Sequence, residues 1–339
     1  MKEEIRIALD CMGGDNAPKI VIEGANIIAS KQNDIHFLLY GDSSEIDLTL
    51  NNFPKLKVKS TTIHTDQAIS SDEKPSIALR RGTKSSMRLA INAVKDGDAD
   101  VAVSAGNTGA LMAIAKIVLR PLPSIERPAI VTSIPNQKNS GTVLLDMGAN
   151  VECDSDVLYQ FAIMGHAFAK IALKIKNPKI GLLNIGSEDV KGNDAVRSAA
   201  ALLKESELKD NFYGYVEGND ITNGTVDVVV TDGFTGNVSL KVIEGTAKMV
   251  SEVLRSAFSS SFISKLGYLL ARPAIIKARK KMDPRLHNGA MLVGLNGVVV
   301  KSHGGTDAIG FANAISVAIS LVKDKINEKI SNEIKIADE

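Results

Sequence analysis

Two glycine-rich turns carry residue types that suit the binding of an anion. The second of them follows the apolar run at residues 226–230 and reads T-D-G-F-T-G-N up to Asn237, after which a helical pattern begins at Val238. The first amides of a helix have no acceptor inside the helix, and the helix dipole favours negative charge there. A buried strand that passes through a glycine turn into a helix therefore predicts a site for an anionic group such as phosphate.

The first turn is a near-copy of the second. Residues 100–112 read D-V-A-V-S-A-G-N-T-G-A-L-M and residues 227–239 read D-V-V-V-T-D-G-F-T-G-N-V-S, at a constant offset of 127 positions (227 − 100). The pair indicates a duplicated strand–helix unit or two loops at one site, although ordinary strand–helix connections share this pattern. The candidate anion-binding residues in the two turns are Gly106, Asn107, Thr108, Gly109, Asp232, Gly233, Thr235 and Gly236.

Two further candidates stand out by their position in the chain. Lys191 lies in a loop bounded by glycines, and His303 directly follows a predicted strand. The sequence lacks a dinucleotide-binding fingerprint after its first strand, a P-loop, a metal-binding histidine pair and a nucleophilic serine elbow. The residues therefore favour a site for a phosphate-bearing ligand and leave the reaction open.

Strands and helices alternate along the chain, which predicts an α/β fold with a mostly parallel sheet covered on both faces. Six predicted strand ends carry glycine together with Asp, Asn, Ser or Thr. Ligands of open α/β sheets bind beyond the carboxyl ends of the strands, so we expect these loops to gather along one edge as a cleft.

Local patterns add several expectations. One helix is predicted from about residue 75 to residue 95, and residues 129–134 and 141–145 are expected to pair as a hairpin. His166 stands alone among apolar residues and is interpreted as structural. The helix predicted at about residues 75–95 carries four basic residues. They are expected to form a solvated face and are also candidates for contact with an acidic partner: Arg80, Arg81, Lys84 and Arg88.

Residues 251–285 break the alternation, because they are predicted to be helical throughout. Pro273 is expected to divide the segment into two helices. Cations lie among and after its apolar residues, a composition that suits an anionic membrane surface and equally a helical hairpin packed on another subunit. The candidate membrane residues are Phe262, Ile263, Leu266, Leu269, Lys277, Lys280 and Lys281.

Composition excludes several classes of function. The 339 residues include 40 basic and 39 acidic side chains, so net charge gives no reason to expect nucleic-acid binding. Aromatic residues make up only 4%, which leaves little for base stacking. Cys11 and Cys153 have no metal-ligand spacing and indicate a reducing compartment. We expect neither a signal peptide nor a segment long and apolar enough to span a bilayer.

An ordered set of motifs resembles one known family, the bacterial acyl-ACP:phosphate transacylases of phospholipid synthesis. The motifs run from residue 10 to about residue 307 in the family's order, and so the resemblance covers nearly the whole chain. They read D-C-M-G-G-D-N-A-P, V-S-A-G-N-T-G-A-L-M, L-D-M-G-A-N-V-E-C, L-L-N-I-G-S-E-D-V-K-G-N, V-E-G-N-D, D-V-V-V-T-D-G-F-T-G-N-V and V-K-S-H-G. Two departures are small: Gly305-Thr306 where two serines are expected, and Cys11 where alanine is common.

The resemblance implies a fold, a reaction and partners. The fold is a dimerising three-layer α/β/α sandwich similar to the isocitrate dehydrogenase and phosphotransacetylase group, here expected as one domain over residues 1–330. An amphipathic hairpin is expected at about 251–285 and a tail at 331–339. The implied reaction moves a long-chain acyl group from acyl carrier protein to inorganic phosphate without a cofactor. A membrane glycerol-3-phosphate acyltransferase then uses the acyl phosphate, and the enzyme is cytoplasmic and peripherally membrane-associated.

The resemblance also implies roles for matched positions. Lys191 supplies a cation to phosphate or to the oxyanion, while Asn193 and Asn237 supply amide donors. His303 acts as a general acid for the leaving thiolate or as a donor to the oxyanion. Four aspartates are interpreted instead as loop-capping residues: Asp10, Asp15, Asp146 and Asp232.

Other functions remain open at this point. A short-chain phosphotransacetylase would share the fold and the phosphate chemistry but would not need the basic, apolar helical segment. A nicotinamide-dependent decarboxylating dehydrogenase would need a carboxylate metal site and a dinucleotide loop. A scaffold for lipid-synthesis enzymes at the membrane surface would need no catalytic residues.

Overall fold

One mixed sheet forms the centre of the molecule. The structure, a computed structural model, describes the backbone of residues 4–281 and 283–338 and the side chains of residues 4–277, 283 and 285–334. The sheet has 11 strands among these residues, in the order β3-β2-β1-β4-β11-β10-β5-β6-β9-β7-β8. Their bounds are β1 (Ile5–Asp10), β2 (Ile35–Gly41), β3 (Ser60–His64), β4 (Val101–Ser104), β5 (Ala129–Ile134), β6 (Thr142–Leu145), β7 (Ile180–Leu183), β8 (Phe212–Val216), β9 (Val228–Val230), β10 (Ala290–Val293) and β11 (Val298–Lys301).

Helices connect most of the strands and cover both faces of the sheet. They are α1 (Lys19–Ala29), α2 (Ser43–Leu50), α3 (Pro54–Lys57), α4 (Pro75–Arg81), α5 (Ser86–Asp96), α6 (Thr108–Leu119), α7 (Ser155–Ala172), α8 (Asp194–Glu205), α9 (Gly218–Asn223), α10 (Gly233–Ser259), α11 (Phe262–Lys281), α12 (Ala308–Lys323) and α13 (Ile326–Asp338), with a 3-10 turn at Pro284–His287.

Two separate apolar clusters show that the fold has three layers. One cluster packs α1, α7, α8, α12 and α13 against one face of the sheet, around residues such as Phe37, Phe161 and Phe311. The other packs α5, α6 and α9 against the opposite face, around Met87 and Leu111. The central strands are buried on both sides, which explains their nearly uninterrupted runs of valine, isoleucine and leucine, whereas the edge strands β3 and β8 are only partly buried. The expected α/β class with a mostly parallel sheet is confirmed.

The two halves of the sheet run in opposite directions. Strands β3, β2, β1, β4 and β11 are mutually parallel, and so are β6, β9, β7 and β8. Between the two groups, β10 is antiparallel to both β11 and β5, and β5 is antiparallel to β6. Because the strand direction reverses three times, the carboxyl ends of the two groups lie on opposite sides of the sheet along the strand direction. The prediction that the loops gather along one edge is therefore wrong, because alternation of strands and helices does not report the direction of pairing.

Several element boundaries also differ from the sequence predictions. The helix expected over residues 75–95 is two helices, because the chain turns at Gly82 and Ser85 caps α5 by accepting from the Arg88 amide. The hairpin of β5 and β6 is confirmed. The segment expected as a tail belongs largely to α13, whose Ile334 is buried.

The protruding helical segment is longer than predicted. It begins at Gly233, its two helices are separated at Ser260 and Ser261, and Pro273 lies inside α11. The proline is tolerated because it leaves only the carbonyl of Leu269, four residues earlier, without a donor, and Leu269 is exposed to water. Within the described ranges, no helix is long and apolar enough to cross a membrane.

Candidate active site

The first of two loop clusters is built on the buried carboxylate of Asp10, at the carboxyl ends of β1, β4 and β11. Ser86 Oγ donates to Asp10 Oδ1 at 2.6 Å, and Ser104 Oγ donates to Asp10 Oδ2 at 2.7 Å. Ser104 in turn accepts from the Gly106 amide at 3.0 Å. Burial raises the pKa of Asp10, against the lowering effect of the two serine hydrogen bonds. Asp10 therefore joins the start of α5 to the turn before α6, as expected for a loop-bracing residue.

Glycines allow three loops to meet at this carboxylate. A Cβ on Gly13 would lie 2.3 Å from Asp10 Oδ2 and 2.8 Å from the Gly106 nitrogen. The amide of Asp15 donates to the carbonyl of Gly304 at 3.1 Å. We call the loops at residues 11–18, 105–109 and 303–306 the first loop cluster.

The turn of the first sequence copy ends at a capped helix. Asn107 Oδ1 accepts from the Ala110 amide, and its Nδ2 donates to the carbonyls of three residues in the preceding loop, at positions 70, 71 and 73. This side chain is fully used in holding the loops together. Thr108 and Gly109 are exposed at the start of α6, and their amides have no acceptor among the described residues. Any anion at this turn would be held by these amides.

His303 is exposed and held in a defined orientation. Its amide donates to Asn288 Oδ1 at 2.9 Å, and the Gly305 amide donates to His303 Nδ1 at 3.2 Å. Because Nδ1 is an acceptor, the proton of the neutral ring lies on Nε2. Asn288 is itself fixed by donating to Ser302 Oγ at 2.8 Å. His303 Nε2 is therefore a donor directed away from its own loop.

Lys301 contacts the first loop cluster and was not among the residues predicted from the sequence. Its Nζ donates to the carbonyl of Ala105 at 3.4 Å and to the carbonyl of Ser302. Burial lowers the pKa of Lys301 to about 8, and the nearby carboxylates of Asp10 and Asp15 only partly oppose this. The V-K-S-H-G motif contains this lysine. It was not predicted as a candidate because a lysine at the end of a strand is usually solvated. Asn288 and Ser86 were missed because their partners are distant in sequence.

The second loop cluster is built on another buried aspartate, at the carboxyl ends of β6, β9 and β7. Asp146 accepts from the amides of Ile130 at 2.9 Å and Asn150 at 2.7 Å, and from the side chain of Asn150 at 2.9 Å. Burial raises the pKa of Asp146 despite these donors. Asp146 thus fixes the turn that follows β6, which agrees with a loop-capping role.

The second sequence copy packs tightly on that turn. The Gly233 amide donates to the carbonyl of Asn150 at 2.7 Å. A Cβ on Gly236 would lie 1.9 Å from the carbonyl oxygen of Asp146. Asp232 caps α10 by accepting from the amide of Thr235 at 2.7 Å and from its hydroxyl at 3.1 Å. We call the loops at residues 146–150, 184–193 and 231–237 the second loop cluster.

Exposed polar side chains surround the second loop cluster. Asn237 is the fifth residue of α10 and faces Gly148, since a Cβ added to Gly148 would lie 3.6 Å from the Cβ of Asn237. Lys191 is exposed, its carbonyl is tied to Asn184 Nδ2 at 3.2 Å, and its ammonium makes no ion pair in the described part of the chain. Asn193 caps α8 through Oδ1. A cation and amide groups are thus exposed in the loops of the second loop cluster.

The structure therefore separates the predicted site residues into two groups. Gly106, Asn107, Thr108, Gly109 and His303 lie in the first loop cluster. Lys191, Asn193, Asp232, Gly233, Thr235, Gly236 and Asn237 lie in the second. Because the strands that carry the clusters run in opposite directions, the two groups lie at opposite ends of the strands, and no hydrogen bond or ion pair joins them among the described residues.

The candidate membrane residues lie on α11. Phe262 is 83% and Ile263 82% exposed, and Leu266 and Leu269 are exposed as well. Lys277 is exposed beside them. The side chains of Lys280 and Lys281 lie outside the described residues. No other element within the described part of the chain packs over these exposed apolar side chains of α11.

Comparisons with known proteins give one consistent family. A family model described as Fatty acid synthesis protein matches residues 5–329. The chain is 53% identical over 333 residues to the phosphate acyltransferase of Paramagnetospirillum magneticum, covering 98% of this chain and 95% of the relative. It is 55% identical over 334 residues to the phosphate acyltransferase of Rhodospirillum centenum, covering 98% and 94%.

Solved structures share the fold at low sequence identity. A phosphotransacetylase from Streptococcus pyogenes matches with a TM-score of 0.64 and 17% identity, covering 94% of both chains. A branched-chain phosphotransacylase from Enterococcus faecalis matches with a TM-score of 0.55 and 13% identity, covering 94% of this chain and 99% of that one. These likenesses confirm the expected phosphotransacetylase-like architecture.

Proposed function

The chain belongs to the fatty acid synthesis protein family, and on this basis we propose that it is an acyltransferase that makes acyl phosphate for phospholipid synthesis. The acyl donor is the thioester of a long-chain fatty acid on acyl carrier protein, and the acceptor is inorganic phosphate. The observation that carries the proposal is the likeness to phosphate acyltransferases over nearly the whole chain. Two glycine-rich loop clusters with exposed nitrogen donors provide the kind of site that this chemistry needs.

The reaction balances without a group beyond the two substrates. A phosphate oxygen attacks the thioester carbonyl carbon, and the carbonyl oxygen becomes an oxyanion in the tetrahedral intermediate. The C–S bond then breaks, the acyl phosphate is released, and the thiolate takes up one proton. The enzyme must hold phosphate against the carbonyl, stabilise the oxyanion and provide for the leaving sulfur.

His303 serves the carbonyl and the leaving group in this proposal. Its Nε2 is the donor end of the ring because Nδ1 accepts from the Gly305 amide. A donor at this position can hydrogen-bond the oxyanion or give its proton to the thiolate. Gly106 and Asn107 shape the adjoining turn, while the amides of Thr108 and Gly109 provide further donors.

The phosphate is bound in this proposal by Lys191, Asn193 and Asn237. The ammonium of Lys191 offsets the charge of the dianion, and the amide groups orient its oxygens. The start of α10 adds the helix dipole, with Asp232 and Thr235 fixing the cap and Gly233 and Gly236 allowing the close packing. The phosphate is thereby bound mainly by the second loop cluster.

Two copies of the chain build each site in this proposal. His303 and Lys191 lie on loops at opposite edges of one sheet, so they can meet only if a second copy supplies one of them. Helix α10 supports a homodimer as well, because among its 27 residues only Gly233 and Gly236 are buried. Exposed Val238, Val242 and Met249 form an apolar stripe available to the partner.

The protein works at a membrane surface in this proposal. The exposed apolar residues of α11 lie beside cations such as Lys265 and Lys277, which suits peripheral binding to anionic lipid. The acyl phosphate would then be released next to the membrane glycerol-3-phosphate acyltransferase that consumes it. A long acyl chain is apolar, so its release is favoured next to apolar surface, and the exposed side chains of α11 provide such surface.

The test is an assay of thioester consumption from palmitoyl-acyl carrier protein, with and without inorganic phosphate, in which acyl phosphate is identified by mass. We expect release of the carrier thiol only with phosphate, together with palmitoyl phosphate. Release without phosphate, or without acyl phosphate as product, would refute the proposal.

A short-chain phosphotransacetylase is the second candidate, favoured by the shared fold of the solved structures. It predicts activity with acetyl-coenzyme A and none with palmitoyl-acyl carrier protein. A membrane-surface scaffold would show no phosphate-dependent activity with either donor.

A further inference from the structure

Four basic side chains surround the start of α5 and the end of α4, and we call them the basic patch: Arg80, Arg81, Lys84 and Arg88. The first three are exposed and Arg88 is half-buried. No carboxylate forms an ion pair with any of them among the described residues. Unpaired cations at this density create a local positive potential, although the chain as a whole is nearly neutral.

The basic patch is fixed to the first loop cluster by direct contacts. Ser86, two residues after Lys84, donates to the buried carboxylate of Asp10 at 2.6 Å. At the other end of α4, a Cβ on Gly109 would lie 3.0 Å from Pro75 Cγ, so this helix packs on the start of α6. Asn107 holds the loop before α4 through carbonyls at residues 70, 71 and 73. A partner bound on the basic patch therefore lies beside the turn that carries Thr108 and Gly109.

Three acidic residues lie near the basic patch, and none of them forms an ion pair with it among the described residues. Asp66 precedes Gln67, whose side chain hydrogen-bonds the backbone of Arg81 and Lys84. Asp72 and Glu73 precede α4, whereas Arg80 and Arg81 stand in its last turn. The side chain of Asp72 is engaged by Ser70 Oγ at 2.8 Å. The two signs of charge are thus separated along the helix, and the cations lie on the side of α5.

The absence of apolar side chains distinguishes the basic patch from α11. Among the described residues, no large hydrophobic side chain between Val58 and Ile117 is exposed, whereas α11 exposes Phe262, Ile263 and Leu270 beside its cations. Lipid binding needs both cations and buried apolar area. A surface with cations alone fits the carboxylates of an acidic protein, recognised by charge complementarity.

We propose that the basic patch is the docking surface for an acidic carrier protein, which presents its acyl thioester to the first loop cluster. The inference rests on the proposed function and adds the face on which the acyl donor arrives. The carrier is held by its negative surface, while its flexible prosthetic arm reaches past the start of α6 toward His303. Charge steering of this kind acts on association and is weakened by salt.

The experiment compares two acyl donors on a charge-reversal variant. Arg80→Glu combined with Arg81→Glu is assayed with palmitoyl-acyl carrier protein and with palmitoyl-pantetheine, which has the same thioester but no protein. We expect the KM for the carrier-bound donor to rise about tenfold at low salt with kcat at saturation unchanged. The KM for palmitoyl-pantetheine should stay unchanged, which also shows that the variant is folded.

A matched control is available on the opposite face of the sheet. Lys55→Glu combined with Lys57→Glu makes the same change of net charge on α3, whose Leu56 packs in the other apolar cluster. This variant should keep the KM for both donors. Added salt should raise the carrier KM of the unaltered chain and of this control, and change that of the basic-patch variant much less.

Three results would overturn the docking surface. They are an unchanged carrier KM in the basic-patch variant, an equal rise in KM with palmitoyl-pantetheine, or an equal effect of the α3 control. Loss of binding to anionic phospholipid vesicles with an unchanged carrier KM would assign the basic patch to lipid instead. If the unaltered chain used neither donor with phosphate, the proposed function would fail together with this inference.

Discussion

The turns before α6 and before α10 start from similar sequences and have different surroundings. Each follows a buried strand, opens a helix and rests on a buried aspartate, Asp10 in one case and Asp146 in the other. Seven of the 12 residues of α6 are buried, from Ala110 to Leu119. In α10 only Gly233 and Gly236 are buried. One helix is part of a layer, and the other projects from the molecule.

The difference shows what a local repeat can specify. A strand, a glycine turn and a capping side chain fix the direction in which the helix leaves and the donors at its start. The packing of the rest of the helix depends on its own composition and on what the fold places beside it. Two similar turns can therefore supply two halves of a site without occupying equivalent places.

Glycines at matched positions give the largest expected contrast between the two turns. Gly109 and Gly236 correspond at the offset of 127. A Cβ on Gly236 would lie 1.9 Å from the Asp146 carbonyl oxygen, which belongs to the backbone and cannot move aside. Gly236→Ala should lower the free energy of unfolding by about 4 kcal/mol or more, measured by chemical denaturation.

Gly109→Ala provides the control for that prediction. Its Cβ would lie 3.0 Å from Pro75 Cγ, and alanine favours a helix over glycine by about 1 kcal/mol. The net change should stay within about 1 kcal/mol of zero. If Gly236→Ala does not fold, Gly233→Ala against Gly106→Ala repeats the contrast, because a Cβ meets backbone oxygen at 2.6 Å in the first and the flexible end of Met87 at 2.7 Å in the second. Equal losses within both pairs would contradict the packing difference.

Mixing two inactive variants tests whether the two loop clusters of different copies form one site. Lys191→Ala and His303→Ala should each reduce kcat about 100-fold or more, because the first removes the cation that holds the phosphate and the second removes the donor to the oxyanion or the leaving thiolate. Both side chains are exposed, so thermal unfolding should be unchanged. In a mixed dimer, one site carries both substitutions and the other site carries neither. Random mixing makes about half of the dimers mixed, and half of their sites are intact, so about a quarter of the unaltered activity should return.

The alternative arrangement makes a different prediction for the same mixture. If one chain supplied both residues, every site would retain one defect and activity would stay at the level of the single variants. The control is a mixture of each variant with itself after the same treatment. Near-normal turnover of Lys191→Ala alone would remove this lysine from the mechanism.

Most strands and the glycine turns were predicted from the sequence, because these depend on neighbouring residues, whereas β10 (Ala290–Val293) was not predicted. β-Branched runs mark buried strands, and glycine with a capping residue marks the start of a helix. The sequence did not predict features that depend on pairing between residues far apart in the chain. The reversal at β10 and β5 comes from pairing between residues such as Met291 and Val131, which lie far apart in the chain.

The candidate site residues were proposed one by one, and their arrangement in two loop clusters was not predicted. Lys191 and His303 were proposed from glycine-bounded loops and a family resemblance, and neither kind of signal contains distances. Lys301 and Asn288 were missed because their importance comes from burial and from hydrogen bonds across loops. Pro273 was overinterpreted, because a proline on an exposed helix leaves only a solvated carbonyl unpaired.

The two loop clusters also differ in the state of their lysines. Lys301 is largely buried in the first, and its pKa is lowered to about 8, whereas Lys191 in the second is exposed. Above pH 8 the folded chain releases this proton while the unfolded chain keeps it up to about pH 10.4. The stability that Lys301 gives therefore rises with pH over this interval.

Replacement of Lys301 by methionine should reveal this dependence. Relative to Lys301→Met, the unaltered chain should gain about 2 kcal/mol of unfolding free energy between pH 7 and pH 9.5, measured by urea denaturation at both values. Lys301→Leu should give the same slope, since both variants lack the amine. A difference between variant and unaltered chain that does not vary with pH would show that the amine titrates as a solvated lysine.

The helix caps give the smallest expected contrast. Asp232 accepts from the amide and hydroxyl of Thr235, and Asp232→Ala should cost about 1 kcal/mol of stability, the usual effect of losing an N-cap. Asn107→Ala should cost about 2 kcal/mol, because Asn107 Nδ2 also donates to three loop carbonyls that would be left without it. Asn107→Asp separates the two roles, since it keeps the capping oxygen but sets a charge against those carbonyls. If Asn107→Asp were as stable as the unaltered chain, the loop contacts would contribute nothing, and the two turns would differ only in what their helices pack against.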